Sequence, residues 1–250
     1  GNEYVLTNVS GDSGDSSVIS AAVSKMFDNG INFSFGYAYT DADDVNPMTS
    51  SVAGSNYGNI ALTNPGNPGV ASSDYEIPHR FTMTLGYKHE FVDGFETRFN
   101  LYGEAYKGLP YSFTFDGSDG VWGDNNWNGN RQLLYVPLEN DPNVVYNMSA
   151  DEINEFNDFI ASEGLKRGEI AGRNQQNSDW FVKFNFKITQ ELPGFMDGHK
   201  GEAFFVIDNL TNMLNDDWGV LKKGPFVGAS MISTSLDDQG RYVYSDFNAN

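Results

Sequence analysis

The chain has 250 residues, with 34 Asp and Glu against 15 Lys and Arg, a formal charge of -19, and no cysteine. Such acidity excludes the basic face that nucleic-acid phosphates require, and the lack of cysteine excludes a disulfide framework and a thiolate metal site. Mean hydropathy is -0.45 and no apolar run approaches the ~18–20 residues of a transmembrane helix, but an alternating membrane barrel keeps a polar average and an aromatic share of 14% suits its strand ends.

Residues 2–8 read as a short strand, followed by a polar loop at 10–15. The run 17–27 alternates imperfectly, with Ile19, Ala21 and Val23 opposite Ser20, Ala22 and Ser24, and Asp28-Asn29-Gly30 makes a tight turn. From Ile31 the alternation is clean: Ile31, Phe33, Phe35, Tyr37 and Tyr39 against Asn32, Ser34, Gly36, Ala38 and Thr40. The tyrosine pair, far from the turn, suits a membrane interface. Residues 41–77 are a long, non-periodic loop rich in Asn, Gly, Pro and Ser.

Residues 79–107 form a long hairpin about Asp93-Gly94, a pair that predicts a type I′ turn. Phe81, Met83, Leu85, Tyr87 and Phe91 line one face of the first arm, with His89 interrupting; Phe95, Thr97, Phe99, Leu101, Gly103 and Ala105 continue that face on the second. Glu96, Arg98 and Glu104 lie opposite. Both arms exceed the ~5–6 residues of an ordinary strand and match the ~9–11 a tilted strand needs to cross a bilayer. The second arm is expected to run on through Pro110 into 111–115.

A second long excursion covers 116–176. Ser149 and Glu152 form a capping box ahead of Ile153, Phe156, Phe159 and Ile160, which predicts one helix near 149–163 packed against the loop's own body. Strands follow at 180–189 and 202–209, joined by a short connection at 192–199, and the tail is an irregular loop or hairpin that includes 240–244. Connections thus alternate short and long. Outer-membrane barrels sort short periplasmic turns to one end and long extracellular loops to the other, and a soluble sandwich does not. The expectation is an all-β fold: an antiparallel transmembrane β-barrel segment of about seven long strands, with residues 1–250 forming its C-terminal part. No signal peptide opens the sequence and no closing strand ends it, so a fragment of a longer protein is expected.

Several strings resemble the C-terminal barrel region of TonB-dependent outer-membrane receptors of the Oar-like group. They are Tyr4-Val5-Leu6-Thr7-Asn8, Pro78-His79-Arg80-Phe81, Gly108-Leu109-Pro110-Tyr111-Ser112, Leu133-Leu134-Tyr135-Val136-Pro137, Arg167 to Asn174, Gln190 to Phe195, and Asp208 to Gly219. The resemblance implies a many-stranded barrel in the bacterial outer membrane and transport powered from the inner membrane. It also implies a plug and a TonB-contacting segment, both absent from this sequence, through which the TonB complex would be a partner. Outer-membrane lipid, lipopolysaccharide and an extracellular or exported ligand are the other partners expected. The alternative is a surface adhesin or matrix-binding barrel without transport.

No catalytic constellation emerges. The three histidines are scattered, and there is no nucleophile elbow or phosphate loop. His79 and Arg80 read as a hydrogen-bonded structural pair at a strand mouth. Asp116, Asp119 and Asp124, in a Gly-rich loop with neighbouring Asn residues, are candidate Ca²⁺ ligands without the EF-hand spacing. Tyr57, Trp122, Trp127 and Tyr135 on the long loops are the candidate substrate contacts, because aromatic faces stack on sugars or anchor peptides. Lys88, Glu90, Glu96, Arg98, Glu104, Lys183 and Lys187 mix both signs on the inward face as polar filling.

Overall fold

The computed structural model describes residues 7, 14–116, 131–196 and 198–248. Its elements are β1 (Ser16–Met26), β2 (Ile31–Asp44), α1 (Ala53–Gly58), β3 (Ala71–Ser72), β4 (His79–Val92), β5 (Phe95–Tyr106), β6 (Pro110–Tyr111), β7 (Phe113–Asp116), β8 (Val144–Tyr146), α2 (Ala150–Ser162), β9 (Gln176–Asn177), β10 (Phe181–Pro193), β11 (Lys200–Ile207), α3 (Leu210–Leu214), β12 (Ala229–Leu236) and β13 (Tyr242–Phe247). The strand expected at 2–8 lies outside the described residues, apart from Thr7.

The principal sheet is antiparallel and runs β1-β2-β4-β5-β10-β11, with β3 added to β2. Its register carries single rows of side chains across the sheet, for example Val23, Phe35, Met83, Gly103 and Phe184, and one row below, Leu85, Leu101, Phe186 and Ile207. Because successive residues alternate faces, these pairings gather every apolar set foreseen from the alternation on one side of the sheet. On that face, positions 19–23 of β1, 31–39 of β2, 81–91 of β4, 99–105 of β5, 182–192 of β10 and 203–207 of β11 hold no Asp, Glu, Lys or Arg. Among the described residues nothing covers it: Val23, Phe35, Leu85, Val182 and Phe205 are all exposed.

Aromatic rings gather at both ends of the apolar face. Tyr37, Tyr39, His79, Phe81 and Trp180 form one contact chain, with the Tyr37 hydroxyl 2.9 Å from His79 Nδ1. Tyr87, His89, Phe91 and Phe99 form the other. Phe81 and Phe91 stand ten residues apart on β4, about 33 Å of strand, or about 25 Å in height at a barrel tilt of ~40°.

The opposite face is zipped by ion pairs: Arg80 with Glu104, Lys88 and Arg98 with Glu96, Arg98 with Glu202, Lys183 with Asp208, and Lys200 with Glu191. His79 and Arg80 are therefore not partners; they point to opposite faces and bond Tyr37 and Glu104 respectively.

All three turns at one end of the sheet are short, at 27–30, 93–94 and 194–199. Gly30 and Gly94 have φ of 85° and 77°, whereas Asp93 is not among the residues with positive φ. The Asp93-Gly94 turn is consequently not type I′, which needs positive φ at both positions; a register shift between His89 and Val92 accommodates the twist instead.

At the other end the three long excursions fold together into a head. β5 does not continue through 111–115. The chain leaves the sheet after Tyr106, pairs β6 with β9, and places β7 in a second sheet ordered β7-β12-β13-β8, in which β7 and β8 run parallel to their neighbours. α2 starts at Ser149 with the expected reciprocal cap to Glu152 and buries Phe156 and Ile160 against Phe113, Phe115, Leu134, Val136 and Tyr244. The tail is a hairpin, as expected, but it supplies the two central strands of this second sheet. The chain is mostly β with three helices among the described residues, and the six long strands form an open sheet whose outer edges, on β1 and β11, are unpaired there. The described residues form no closed barrel, and six long strands stand where a segment of about seven was expected.

Candidate functional site

The hydrophobic core of the molecule lies in the head, not between the sheet and another layer. The head therefore has a packed core of its own, set at the end of the sheet where the long connections are.

A buried polar hub joins its parts. Asn174 holds a left-handed backbone, φ 55°, which turns its amide and side chain toward two different segments. Its N–H donates to Ser112 Oγ at 2.9 Å, and its Nδ2 donates to Ser72 O at 2.7 Å and to Asp74 Oδ1 at 2.6 Å. Ser112 Oγ donates in turn to Asn174 Oδ1 at 3.1 Å, and Ala229 N–H donates to Ser112 O at 2.8 Å. Beside it, Arg173 is buried, donating to Val45 O at 2.7 Å and to Asp44 O, with the Asp44 carboxylate 3.5 Å away. Burial raises the Asp74 pKa above its usual value despite the Asn174 bond, and burial lowers that of Arg173 against the pull of Asp44 and Asp74. Excursions 45–78, 107–180 and the tail thus meet at one point.

A second junction clasps the tip of the first excursion. Arg131, 1% exposed, donates to Tyr57 O at 2.5 Å and lies 4.6 Å above the Tyr57 ring. Leu62 N–H donates to Arg131 O at 2.9 Å and Leu133 N–H donates to Leu62 O at 3.2 Å.

Of the aromatic candidates, Tyr57 sits on α1, 38% exposed, with Arg131 on one face of its ring. Tyr135 is half-buried and engaged internally: its hydroxyl donates to Asp141 Oδ2 at 2.7 Å and its ring stacks on Tyr242 at 5.3 Å. Desolvation and the Asp141 carboxylate push its pKa up to about 12. Asp141 is itself desolvated, which favours its neutral form, but bonds from Tyr135 and from the Asn143 and Leu138 amides outweigh burial and hold its pKa below the usual value. Tyr57 and Tyr135 are brought to opposite ends of the single segment 131–136. Trp122 and Trp127 lie outside the described residues.

Of the candidate calcium ligands, Asp116 is exposed at the end of β7, and Asp119 and Asp124 lie outside the described residues. Among the described residues no cluster of His, Asp or Glu is arranged to hold a metal ion.

The hub residues Arg173 and Asn174 were visible in sequence only inside a string resembling the Oar-like group. The string from Asp208 to Gly219 is likewise a compact built turn. Asn209, φ 55°, accepts from Asn212 N–H and donates through Nδ2 to Gly219 O at 3.0 Å, while its own N–H donates to Asn185 Oδ1 at 2.9 Å. Gly219 has φ 64°, and a Cβ there would stand 2.1 Å from Asn209 Oδ1, so only glycine fits. Comparison of the chain with protein-family models, curated proteins and solved structures returns no match.

Proposed function

We propose that this chain is wall and loop head of a bacterial outer-membrane β-barrel receptor of the TonB-dependent, Oar-like kind, whose extracellular head binds a ligand to be moved across the membrane. The observation that carries the proposal is the uncharged face of the open sheet. Six strands present apolar residues over ~25 Å between two aromatic ends, with nothing among the described residues packed on them, and lipid is the partner that such a band fits. Short turns at one end and the head at the other support a periplasmic and an extracellular pole. The two open edges support further wall strands on either side, since an exposed edge invites pairing.

The TonB-dependent assignment rests on the strings quoted above, two of which, at Arg173-Asn174 and Asn209 to Gly219, form hydrogen-bonded units in the fold. The head's own core favours a second reading, an adhesin that presents the head without transport. Reconstitution of the complete protein with lipids carrying brominated acyl chains tests the membrane assignment: a fluorescent probe at Phe184 should be quenched and one at Asn185, on the other face, should not. Equal quenching at both positions would defeat it. Ligand uptake that stops when the inner-membrane proton gradient is dissipated separates transport from adhesion.

A further inference from the structure

β11 leaves part of its neighbour bare. It pairs with Phe186 to Pro193 of β10 and ends at Ile207, whereas β10 begins at Phe181. Among the described residues no strand lies on that side of residues 181–185, and the turn from Asp208 to Gly219 takes the place instead. Asp208 pairs with Lys183 at 3.0 Å, Asn209 N–H donates to Asn185 Oδ1 at 2.9 Å, and Thr211 Oγ1 lies 3.5 Å from Val182 O. Just beyond the turn, Lys222 reaches Asp179 at 3.0 Å. The turn thus stands level with Trp180 and the upper aromatic end of the sheet.

Its polar groups are turned inward on themselves. Asn212 Nδ2 donates to Asp216 O at 2.9 Å and to Trp218 O at 3.0 Å, Asp217 N–H donates to Asn215 Oδ1 at 2.8 Å, and Trp218 N–H donates to Asn215 O at 3.0 Å. Together with the Asn209 bonds, three asparagine side chains satisfy backbone groups that no strand partner reaches, as irregular backbone beside lipid requires. The apolar side chains are displayed instead: Met213, Leu214, Trp218 and Val220 are exposed, and α3 buries no residue. The display has a direction. Asp208 and Asn209 are tied to Lys183 and Asn185 on the charged face of β10, which leaves the apolar side chains for the side that continues the uncharged band. Asp216 and Asp217 are exposed too, and a carboxylate is costly in the hydrocarbon centre, which limits the depth. We infer that the turn 208–220 is a piece of the wall set in the interfacial layer of the outer leaflet. Met213, Leu214, Trp218 and Val220 rest against lipid acyl chains there, and Asp216 and Asp217 stay in the water of the headgroups. The inference rests on the membrane reading above and adds to it a lipid contact made by a turn, not a strand.

The chain has no cysteine, so a single fluorescent label at Leu214→Cys tests the placement. The complete protein is reconstituted in vesicles whose acyl chains carry bromine either near the headgroup or near the chain end. The label at Leu214 should be quenched several-fold more than one at Glu155→Cys, exposed on α2 in the head, and more by bromine near the headgroup than near the chain end. A label at Phe184→Cys reports the membrane reading in the same vesicles. Quenching at Phe184 without quenching at Leu214 overturns the inference and assigns the turn to the barrel interior or to a covering protein. Stronger quenching of Leu214 by bromine at the chain end overturns the interfacial depth. Absence of quenching at both positions sinks the membrane reading itself, and the inference with it. Met213→Cys, exposed on the same helix, serves if Leu214→Cys does not assemble.

Discussion

Placing a charge at Leu85 reads the environment of the sheet directly. Leu85 lies on the apolar face between Phe33 and Leu101, four residues from Phe81 and six from Phe91. At ~3.3 Å per residue and a tilt of ~40°, it stands about 10 Å below the upper aromatic end and about 15 Å above the lower, near mid-bilayer. Arginine at that depth on a barrel's lipid face costs ~2–4 kcal/mol, a 30- to 1,000-fold drop in the folded-to-unfolded ratio. Were the face in water, the cost would be small, because Leu85 is 44% exposed and surface substitutions stay within about 0.5 kcal/mol. Thr84→Arg is the internal control, since Thr84 sits on the opposite face between Ser34 and Tyr102. Reversible denaturant unfolding in lipid vesicles, followed by tryptophan fluorescence, should give Leu85→Arg a loss of ~2–4 kcal/mol beyond Thr84→Arg. Losses that agree within about 0.5 kcal/mol would refute the lipid-facing assignment and with it the height arithmetic.

Three further outcomes test the head. Phe156→Ala empties a fully buried site against Phe159, Tyr244 and Phe247 and should cost the head ~3–5 kcal/mol, seen as faster exchange in 113–116 and 229–247 with the long strands unchanged. Tyr135→Phe removes the donor to Asp141 while the Leu138 and Asn143 amides remain, so a loss of about 1 kcal/mol and a rise of the Asp141 pKa by NMR titration are expected. The Asp141 bonds contribute stability above the unfolded carboxylate range and lose it as pH falls through the lower folded value, so acid should unfold Tyr135→Phe at higher pH than wild type. Asp74 has the opposite sign: its folded pKa is raised by burial, so the hub gains stability as pH falls through that value toward 3.8. Asp74→Asn keeps an acceptor for Asn174 and should abolish this gain in unfolding midpoint as pH falls toward 3.8, without destabilising the hub at neutral pH.

Local signals carried much of the long sheet. A period of two needs only the strand itself, so the faces of 31–39, 81–91, 95–105 and 182–188 are readable residue by residue, and the register later stacks them as the alternation implies. α2 was legible because its cap and apolar stripe lie within thirteen residues. The head was not, because its pairings join Phe113 to Ala229 and Val144 to Tyr242 across stretches with no period. Tyr111 to Phe115 alternates like a strand, but it is divided at Ser112 between β6 and β7, and alternation does not say which sheet receives each part. Asp93 met the composition of a type I′ turn, and a neighbouring bulge made a different turn sufficient. Tyr57 and Tyr135 were singled out by residue type alone, and no local pattern marks the two buried arginines that organise the segments around them.

The middle strands of the head sheet, β12 and β13, come later in the chain than β7, β8 and α2, and β7 and β8 rest on them. Phe113 and Phe115 are therefore made more than a hundred residues before the strand that covers them, and Phe156 of α2 precedes its partners Tyr244 and Phe247 by 88 and 91 residues. Pairing at such separation closes a long loop before any reward, so it comes late and slowly. Until the tail arrives, the most apolar part of the molecule is uncovered together with the bare face of the sheet, a species prone to aggregate in an aqueous compartment. The order of assembly thus leaves both surfaces exposed together until β12 and β13 pair, and completing the head removes one of them.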